Sequence, residues 1–233
     1  MSSHPLTRHA PLLQALATHR IEELGGVAEK SEVTLGGMIS GVQVKNVQKS
    51  RSGLTRMAKL SFEDLTGSVP SMLWPEEFAK SEDLVKNDLI GFVKGTLDRR
   101  RDPAELIITK IIPLDRGPAE LSRGVVVRLH KGVHQASDLE RLLRLVRVHP
   151  GNLDLFLEIL GLTQVRRAIY KAGASLKVRH DDGLLADLEA AVGPGNVRLL
   201  GRRGATARVE TTARATAIAT APEPDEPPDS DDL

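Results

Sequence analysis

The sequence contains no cysteine and few aromatic residues. The absence of cysteine among 233 residues excludes disulfide bonds, thiolate metal sites and cysteine nucleophiles. It is typical of a reducing compartment, so we expect the protein in the cytoplasm. Aromatic residues make up 3% of the chain, so the cores must rest on Leu, Val and Ile, and few rings are available to stack on a ligand.

The chain also lacks a long apolar run and a strong net charge. No stretch approaches the roughly 18–20 apolar residues of a membrane span, and residues 1–8 lack the apolar segment of a signal peptide. We therefore expect no membrane partner. The formal net charge is +1, so the chain as a whole is not a basic polyanion binder. Affinity for an anionic ligand must come from local clusters of lysine and arginine.

Five β-strand patterns and one short helix follow one another in the first half of the chain. The predicted strands cover 33–47, 57–63, 69–74, 89–97 and 104–112. A short helix is predicted to start at Pro75, between the third and fourth strands. This order is typical of a five-stranded Greek-key barrel of the OB type, which mostly holds single-stranded nucleic acid in a groove across one face.

The chain divides into four predicted units, and the fold class is mainly β followed by α+β. Residues 1–30 predict a short helical lead segment that packs on a neighbour, and residues 31–115 predict the OB-type barrel. A linker at 115–118 leads to a small α+β domain over 121–201. Residues 202–233 end in an acidic, proline-rich stretch, which predicts a disordered acidic tail.

The second predicted domain has the element order β-α-β-β-β-α-β. Its first helix is predicted to open with a capping box formed by Ser137 and Glu140. A hairpin is predicted between strands at 165–172 and 175–179.

Basic residues cluster at two hairpins of the predicted barrel. The cluster at the first hairpin consists of Lys45, Lys49, Arg51, Arg56 and Lys59. The cluster at the last hairpin consists of Lys94, Arg99, Arg100 and Arg101. Because these connections frame the groove in OB barrels, we expect these cations to contact phosphates, with binding that weakens as salt rises. The alternative is that they are ordinary solvated side chains.

Trp74 is the aromatic candidate for the groove. It ends the third predicted strand, where its ring either stacks on a base or packs on the following helix, and packing is the favoured interpretation. Phe62 and Phe92 are assigned to the core. Lys59 on the presumed binding face and Pro70 in the third strand also argue against base stacking. We therefore expect contact with the nucleic-acid backbone rather than sequence readout.

No motif for catalysis, a metal or a cofactor is recognisable in the sequence. There is no phosphate-binding loop, no metal-ligating pair on a helix and no nucleophile elbow. His130 and His134 are four residues apart, but they flank a predicted strand end, where loop histidines are the ordinary case. Asp181 and Asp182 begin a predicted helix. We expect neither a metal nor a cofactor.

Several segments resemble the C-terminal region of the alpha subunit of bacterial DNA polymerase III. They are Ser-His-Pro-Leu at 3–6, the segments 36–39, 57–68, 73–76 and 88–95 of the barrel, and the segments 149–151 and 188–193 further on. The resemblance covers about residues 2–200. It implies that the barrel holds single-stranded DNA near the polymerase. It also implies that the second domain docks the tau subunit of the clamp loader and other holoenzyme components.

The resemblance does not include the family's catalytic aspartates, which lie upstream of the matching region. It therefore implies a nucleic-acid-binding and protein-docking region without a polymerase site. Two alternatives stay open. One is a DNA-directed DNA polymerase (nucleotidyltransferase) subunit by descent, active only with upstream parts, which a primer-extension assay would detect. The other is a stand-alone OB module for tRNA or other RNA, which would prefer folded tRNA to single-stranded DNA.

Overall fold

The computed structural model describes residues 5–47, 53–100, 102–161, 167–180 and 182–201. The α-helices are Ala10–Leu16 (α1), Pro75–Ser81 (α2), Gly117–Leu121 (α3), Ala136–Val148 (α4) and Asp182–Val192 (α5). The strands are Glu32–Asn46 (β1), Arg56–Glu63 (β2), Ser68–Leu73 (β3), Ile90–Asp98 (β4), Glu105–Pro113 (β5), Ser122–His130 (β6), Pro150–Leu160 (β7), Arg167–Lys171 (β8) and Val197–Gly201 (β9). Short 3-10 helices cover Thr7–His9, Ile21–Gly26, Glu82–Leu84 and Ala174–Leu176. No helix in the described ranges is long and apolar enough to cross a membrane. The predicted disordered tail, residues 202–233, lies outside them.

Strands β1 to β5 close into a barrel in the order β1-β2-β3-β5-β4, with β4 returning to β1. The alternation predicted for the second strand is confirmed, because Ala58, Leu60 and Phe62 all point into the barrel and are buried. Apolar side chains of the other strands complete this core; the largest are Leu35, Ile39, Leu73, Leu97, Leu106 and Ile108. The predicted five-stranded barrel is thus confirmed.

The length and bend of β1 allow the barrel to close. Its first half pairs with β4 and its second half pairs with β2, and Met38 pairs with both neighbours. A register shift between Ser40 and Gln43 interrupts the pairing with β2. Gly41 lies inside this bulge with a φ of +58°, a conformation that glycine adopts without steric cost. The bend therefore depends on a residue without a side chain at this position.

Helix α2 covers one end of the barrel between β3 and β4, as predicted. Pro75 begins the helix, where the missing N–H costs nothing, and Glu76 and Glu77 lie in the first turn, near its positive end. Phe78 points into the barrel core and is 2% exposed. Pro70 lies just before β3 starts to pair with β5 at Ser71, so its missing N–H is not needed for that ladder.

The lead segment packs against the outside of the barrel, as expected. Leu6, Leu13 and Leu16 form a cluster with outward side chains of β1, β4 and β5, which are Met38, Phe92 and Ile112. Gly36 of β1 allows the close approach, since a Cβ atom there would lie 2.9 Å from the carbonyl oxygen of Leu13. One side of the barrel exterior is therefore buried by the lead segment.

Only part of the segment predicted as a linker connects two elements, because 115–116 form a turn and 117–118 are the start of α3. Gly117 packs against the ring of Phe92, and a Cβ atom there would lie 2.3 Å from a ring carbon. Leu121 at the end of α3 joins the same apolar cluster as the lead segment. The prediction was wrong for 117–118, because Gly and Pro there indicate a loop locally, whereas here glycine makes room for an aromatic ring.

The remaining strands form a four-stranded sheet in the order β8-β7-β6-β9. Strands β6 and β7 are parallel and are joined by α4, and β8 and β9 flank them in antiparallel orientation. Helices α4 and α5 pack on one face of this sheet. The shared core includes Val125, Val127, Leu142, Val146, Leu155, Leu184 and Leu188.

Two local predictions for this region were wrong. Helix α4 begins at Ala136, and the backbone N–H of Gln135 donates to the Asp138 carboxylate at 2.9 Å, so the capping pair lies two residues before the predicted one. No strand is formed over 175–179. Val178 makes only isolated bridges to Pro150 and Leu153, because β8 already occupies the rest of that edge of β7.

Candidate nucleic-acid interface

The outward side chains of β1, β2, β3 and β5 form a continuous strip across the barrel. Lys59 lies opposite Gln43 on one side and Met72 on the other, and Met72 lies opposite Ile107. With about 4.8 Å between neighbouring strands, this row is about 14 Å long. We call the following six residues the barrel face: Gln43, Lys45, Lys59, Met72, Trp74 and Ile107.

The barrel face combines two lysines with apolar surface. Lys45 is exposed and Lys59 is half-buried, and neither has an ion pair among the described residues. Trp74 follows β3 directly, and 47% of its surface is exposed, so α2 does not bury its ring. Met72 is buried between its neighbours in the strip, whereas Ile107 is half-buried. The face therefore offers two cations, a half-exposed indole and the accessible part of Ile107 as apolar contact area.

Arg56 was predicted to belong to the same cluster, but it has partners at the end of the barrel. Its guanidinium carbon lies 5.3 Å from the centre of the Phe78 ring. One guanidinium nitrogen lies 2.6 Å from a carboxylate oxygen of Glu82. Arg56 thus holds α2 and the turn after it against the barrel. Lys49 and Arg51, from the same predicted cluster, lie outside the described residues.

Arg99 is engaged by the backbone of the lead segment. Its Nη2 atom donates to the carbonyl oxygens of Leu24 at 2.6 Å, Gly25 at 2.8 Å and Val27 at 2.8 Å. These carbonyls lie in and just after the last turn of the 3-10 helix Ile21–Gly26, and that of Leu24 also accepts from the backbone N–H of Val27 at 3.2 Å. This side chain anchors the lead segment, and its role as a phosphate contact stays a prediction.

Arg100 is exposed, as is Arg99, but it pairs with Asp98 rather than with backbone carbonyls. Its Nη2 lies 2.5 Å from Asp98 Oδ2, its Nε lies 2.9 Å from Asp98 Oδ1, and 79% of its side chain is exposed. The hydrogen bonds and charge of Asp98 raise the pKa of Arg100, which is cationic at any working pH. Lys94 lies in the middle of β4, opposite Thr34 and Lys110, and away from the hairpin. Arg101 lies outside the described residues.

The structure therefore places Lys45, Lys59 and Trp74 together and separates Arg56, Lys94 and Arg99 from them. Three members of the face were missed from the sequence: Gln43, Met72 and Ile107. The alternation of side chains along β5 could have indicated Ile107, which lies between the buried Leu106 and Ile108. Assigning all three residues to one face also needs the pairing register between strands, which the sequence of a single strand does not give.

Histidines 130 and 134 have a structural role. The His134 Nδ1 accepts from the backbone N–H of His130 at 2.9 Å, and its Nε2 lies 2.9 Å from the carbonyl oxygen of Val192. His134 thus links the end of β6 to the end of α5. Across the described part of the chain, no group of three histidine, aspartate or glutamate side chains is arranged to hold a metal ion.

The barrel region matches a known family. Residues 33–114 match the tRNA_anti-codon family, described as an OB-fold nucleic acid binding domain. The barrel is an OB fold. Among solved structures, the second OB-fold domain of replication protein A from Methanococcus maripaludis has a TM-score of 0.34, at 20% sequence identity, over 42% of this chain and 96% of that chain. An overlap of that extent does not bear on function.

Similarity to curated proteins extends beyond the barrel. The chain is 25% identical over 197 residues to the DNA polymerase III subunit alpha of Mycobacterium leprae (strain TN), which covers 84% of this chain and 16% of the relative. It is 23% identical over 198 residues to the DNA polymerase III subunit alpha of Bacillus subtilis (strain 168), with 85% and 17% covered. The chain thus spans about one sixth of the length of these relatives.

Proposed function

We propose that the barrel face holds single-stranded DNA and that the chain acts in bacterial DNA replication. The observation that carries the proposal is the position of Lys45, Lys59 and Trp74 on one outward face of an OB barrel. The similarity to alpha subunits of DNA polymerase III supports DNA as the ligand and replication as the process.

The proposed mode of binding is backbone tracking with little sequence preference. The ammonium groups of Lys45 and Lys59 neutralise phosphates and release counterions, and binding therefore weakens as salt rises. The half-exposed indole of Trp74 offers a stacking surface that accepts any base. Low sequence preference follows because the face has few side chains that could read base edges in a fixed geometry.

The wider role is part of the same proposal. The chain contributes strand binding rather than nucleotide incorporation, and residues 121–201 dock a protein partner such as the tau subunit of the clamp loader in the cytoplasm. Two assays address these points. A primer-extension assay with the purified chain should show no incorporation, and tau should co-elute with the full chain but not with a version that ends before residue 121.

The proposal is tested by fluorescence anisotropy with a labelled single-stranded oligonucleotide across a series of salt concentrations. The variant Lys45→Gln/Lys59→Gln should bind more weakly than the unmodified chain. The slope of log K against log salt should fall by about 1.4 for the loss of two single-strand phosphate contacts.

The matched control is Lys80→Gln/Lys86→Gln, which removes the same charge from exposed lysines away from the barrel face. An equal loss in both double variants would show a general charge effect and would overturn the proposal. So would a lack of binding to the single strand at low salt. A preference for folded tRNA over single-stranded DNA would favour an anticodon-binding module instead.

A further inference from the structure

The four-stranded sheet has one face that helices do not cover in the described part of the chain. Val125 and Val127 of β6 point towards α4 and α5 and are fully buried. The side chains that alternate with them point the other way, together with their neighbours on β7, β8 and β9. We call six of these residues the second-sheet face: Arg128, Phe156, Glu158, Arg167, Lys171 and Arg198.

Guanidinium groups from three strands converge on one buried carboxylate at this face. Glu158 is 3% exposed. The Nε atom of Arg128 lies 2.9 Å from Glu158 Oε2, and that of Arg167 lies 2.5 Å from Oε1. Arg198 Nη2 lies 3.9 Å from Oε2. Because a guanidinium has five N–H donors, most of the donors in this cluster remain available for a second anion.

An aromatic ring lies beside this cluster. Phe156 is half-buried, and the Lys171 ammonium lies 6.0 Å from the centre of its ring. Lys171 also pairs with Asp154 at 2.7 Å. The face therefore presents cations next to a partly accessible ring, which is the combination that single-stranded nucleic acid uses in its binding grooves.

The charge balance of the face is positive. The arginines and Lys171 contribute four cations, against the carboxylates of Glu158 and Asp154. The side chains of Arg167 and Arg198 are 60% and 52% exposed, and their guanidinium groups meet at Glu158 from opposite edges of the sheet. Arg167 and Lys171 lie at the two ends of β8, four residues or about 13 Å apart. A patch of cations of this length suits an extended polyanion better than a single small ion.

We propose that the second-sheet face is a second contact surface for the phosphate backbone of single-stranded nucleic acid. The inference rests on the proposed function, because it extends the same bound strand beyond the barrel face. An acidic peptide is the other ligand that matches the charge. Nucleic acid is favoured because the half-buried ring of Phe156 gives a base a stacking surface, whereas an acidic side chain gains nothing from it.

The test uses the full chain with Arg167→Gln/Arg198→Gln. Arg128 is kept, because once Arg167 is replaced it is the remaining close partner of the buried Glu158 carboxylate. The control is Arg144→Gln/Arg147→Gln, which removes the same charge from exposed positions on α4, in the other layer of the same unit. Melting temperatures of both variants check that the fold is kept.

Binding is measured with single strands of about 8 and about 40 nucleotides, the shorter one within the site size of a single OB fold. We expect the variant to bind the short strand normally and the long strand several-fold more weakly. The salt slope for the long strand should fall by about 1.4. The control should match the unmodified chain with both strands.

Three outcomes would overturn the inference. Equal affinity of the variant and the unmodified chain for the long strand would leave only the barrel face as a contact. If the oligonucleotide affinity is unchanged while a peptide of residues 222–233 binds the unmodified chain and not the variant, the face takes acidic peptides. If the unmodified chain binds neither strand, the proposed function is rejected as well. If it binds both strands, and the variant does not lose more affinity for the long strand than for the short one, only this inference is rejected.

Discussion

Replacing Arg99 by methionine should lower the melting temperature, because this residue anchors the lead segment. Its Nη2 atom is shared by the carbonyl oxygens of Leu24, Gly25 and Val27. One such nitrogen carries two hydrogens, so two of these bonds are well formed at a time. Hydrogen bonds from a charged donor contribute about 1.5–3 kcal/mol each, and partial exposure places these at the low end, so the expected loss is about 2–3 kcal/mol. For a chain of this size that corresponds to about 4–12 °C.

The assay is thermal unfolding followed by circular dichroism, with Arg100→Met as the matched control. Arg100 is the next residue along the chain and carries the same side chain, but it is 79% exposed and pairs only with Asp98 among the described contacts. Its replacement should leave the melting temperature nearly unchanged. Arg99→Lys should fall between the unmodified chain and Arg99→Met, since an ammonium group can still donate to a carbonyl.

Binding measurements on the same two variants separate anchoring from ligand contact. Arg100→Met should weaken binding to single strands of any sequence and reduce the salt slope by about 0.7. Arg99→Met should act mainly on stability. If Arg99→Met melts like the unmodified chain and loses affinity instead, the three carbonyl contacts contribute little and the reasoning is refuted.

Two further predictions concern stability elsewhere in the chain. Phe78→Ala should destabilise the protein by about 3–5 kcal/mol, because it leaves a cavity where α2 closes the barrel. Urea unfolding would measure the lost free energy of unfolding, and a change below about 1 kcal/mol would contradict the packing of Phe78 in the barrel core. The hydrogen bond from Lys171 and the nearby Lys177 lower the pKa of Asp154. The ionised Asp154 carboxylate therefore stabilises the fold above the ordinary carboxyl pKa of about 3.9, and this stabilisation is lost as pH falls through the lowered pKa. The difference in melting temperature between the unmodified chain and Asp154→Asn should therefore disappear in acid. A difference that persists at about pH 2 would point to another cause.

The barrel could be predicted from the sequence because its signals are local. Ala58, Leu60 and Phe62 alternate with polar neighbours, and Gly41 lies where the strand has to bend. Proline and two glutamates at the start of α2 indicated a helix between the third and fourth strands. Each of these features depends only on residues that are neighbours in the sequence, so each can be recognised without knowledge of the fold.

The roles of individual cations could not be predicted in the same way. Arg99 and its carbonyl partners are 72 to 75 positions apart, and Arg56 reaches Glu82 across 26 positions. In the sequence, a basic residue beside a hairpin looks the same whether its partner is a phosphate, an internal carbonyl or an aromatic ring. Which partner it has depends on the distances between chain segments in the fold, and a cluster of basic residues in the sequence does not reveal those distances.

The salt slope for a short strand provides a count of phosphate contacts on the barrel. The net charge of +1 gives little long-range attraction, so each unit of slope must come from a local cation. The described residues offer Lys45, Lys59 and Arg100, which together predict a slope of about −2.1 for a single strand. If the three predicted contacts outside the described residues also bind, the slope becomes about −4.2. A slope near the smaller value would therefore confine binding to the barrel face and Arg100. A slope near the larger value would assign roles to Lys49, Arg51 and Arg101 as the sequence predicts.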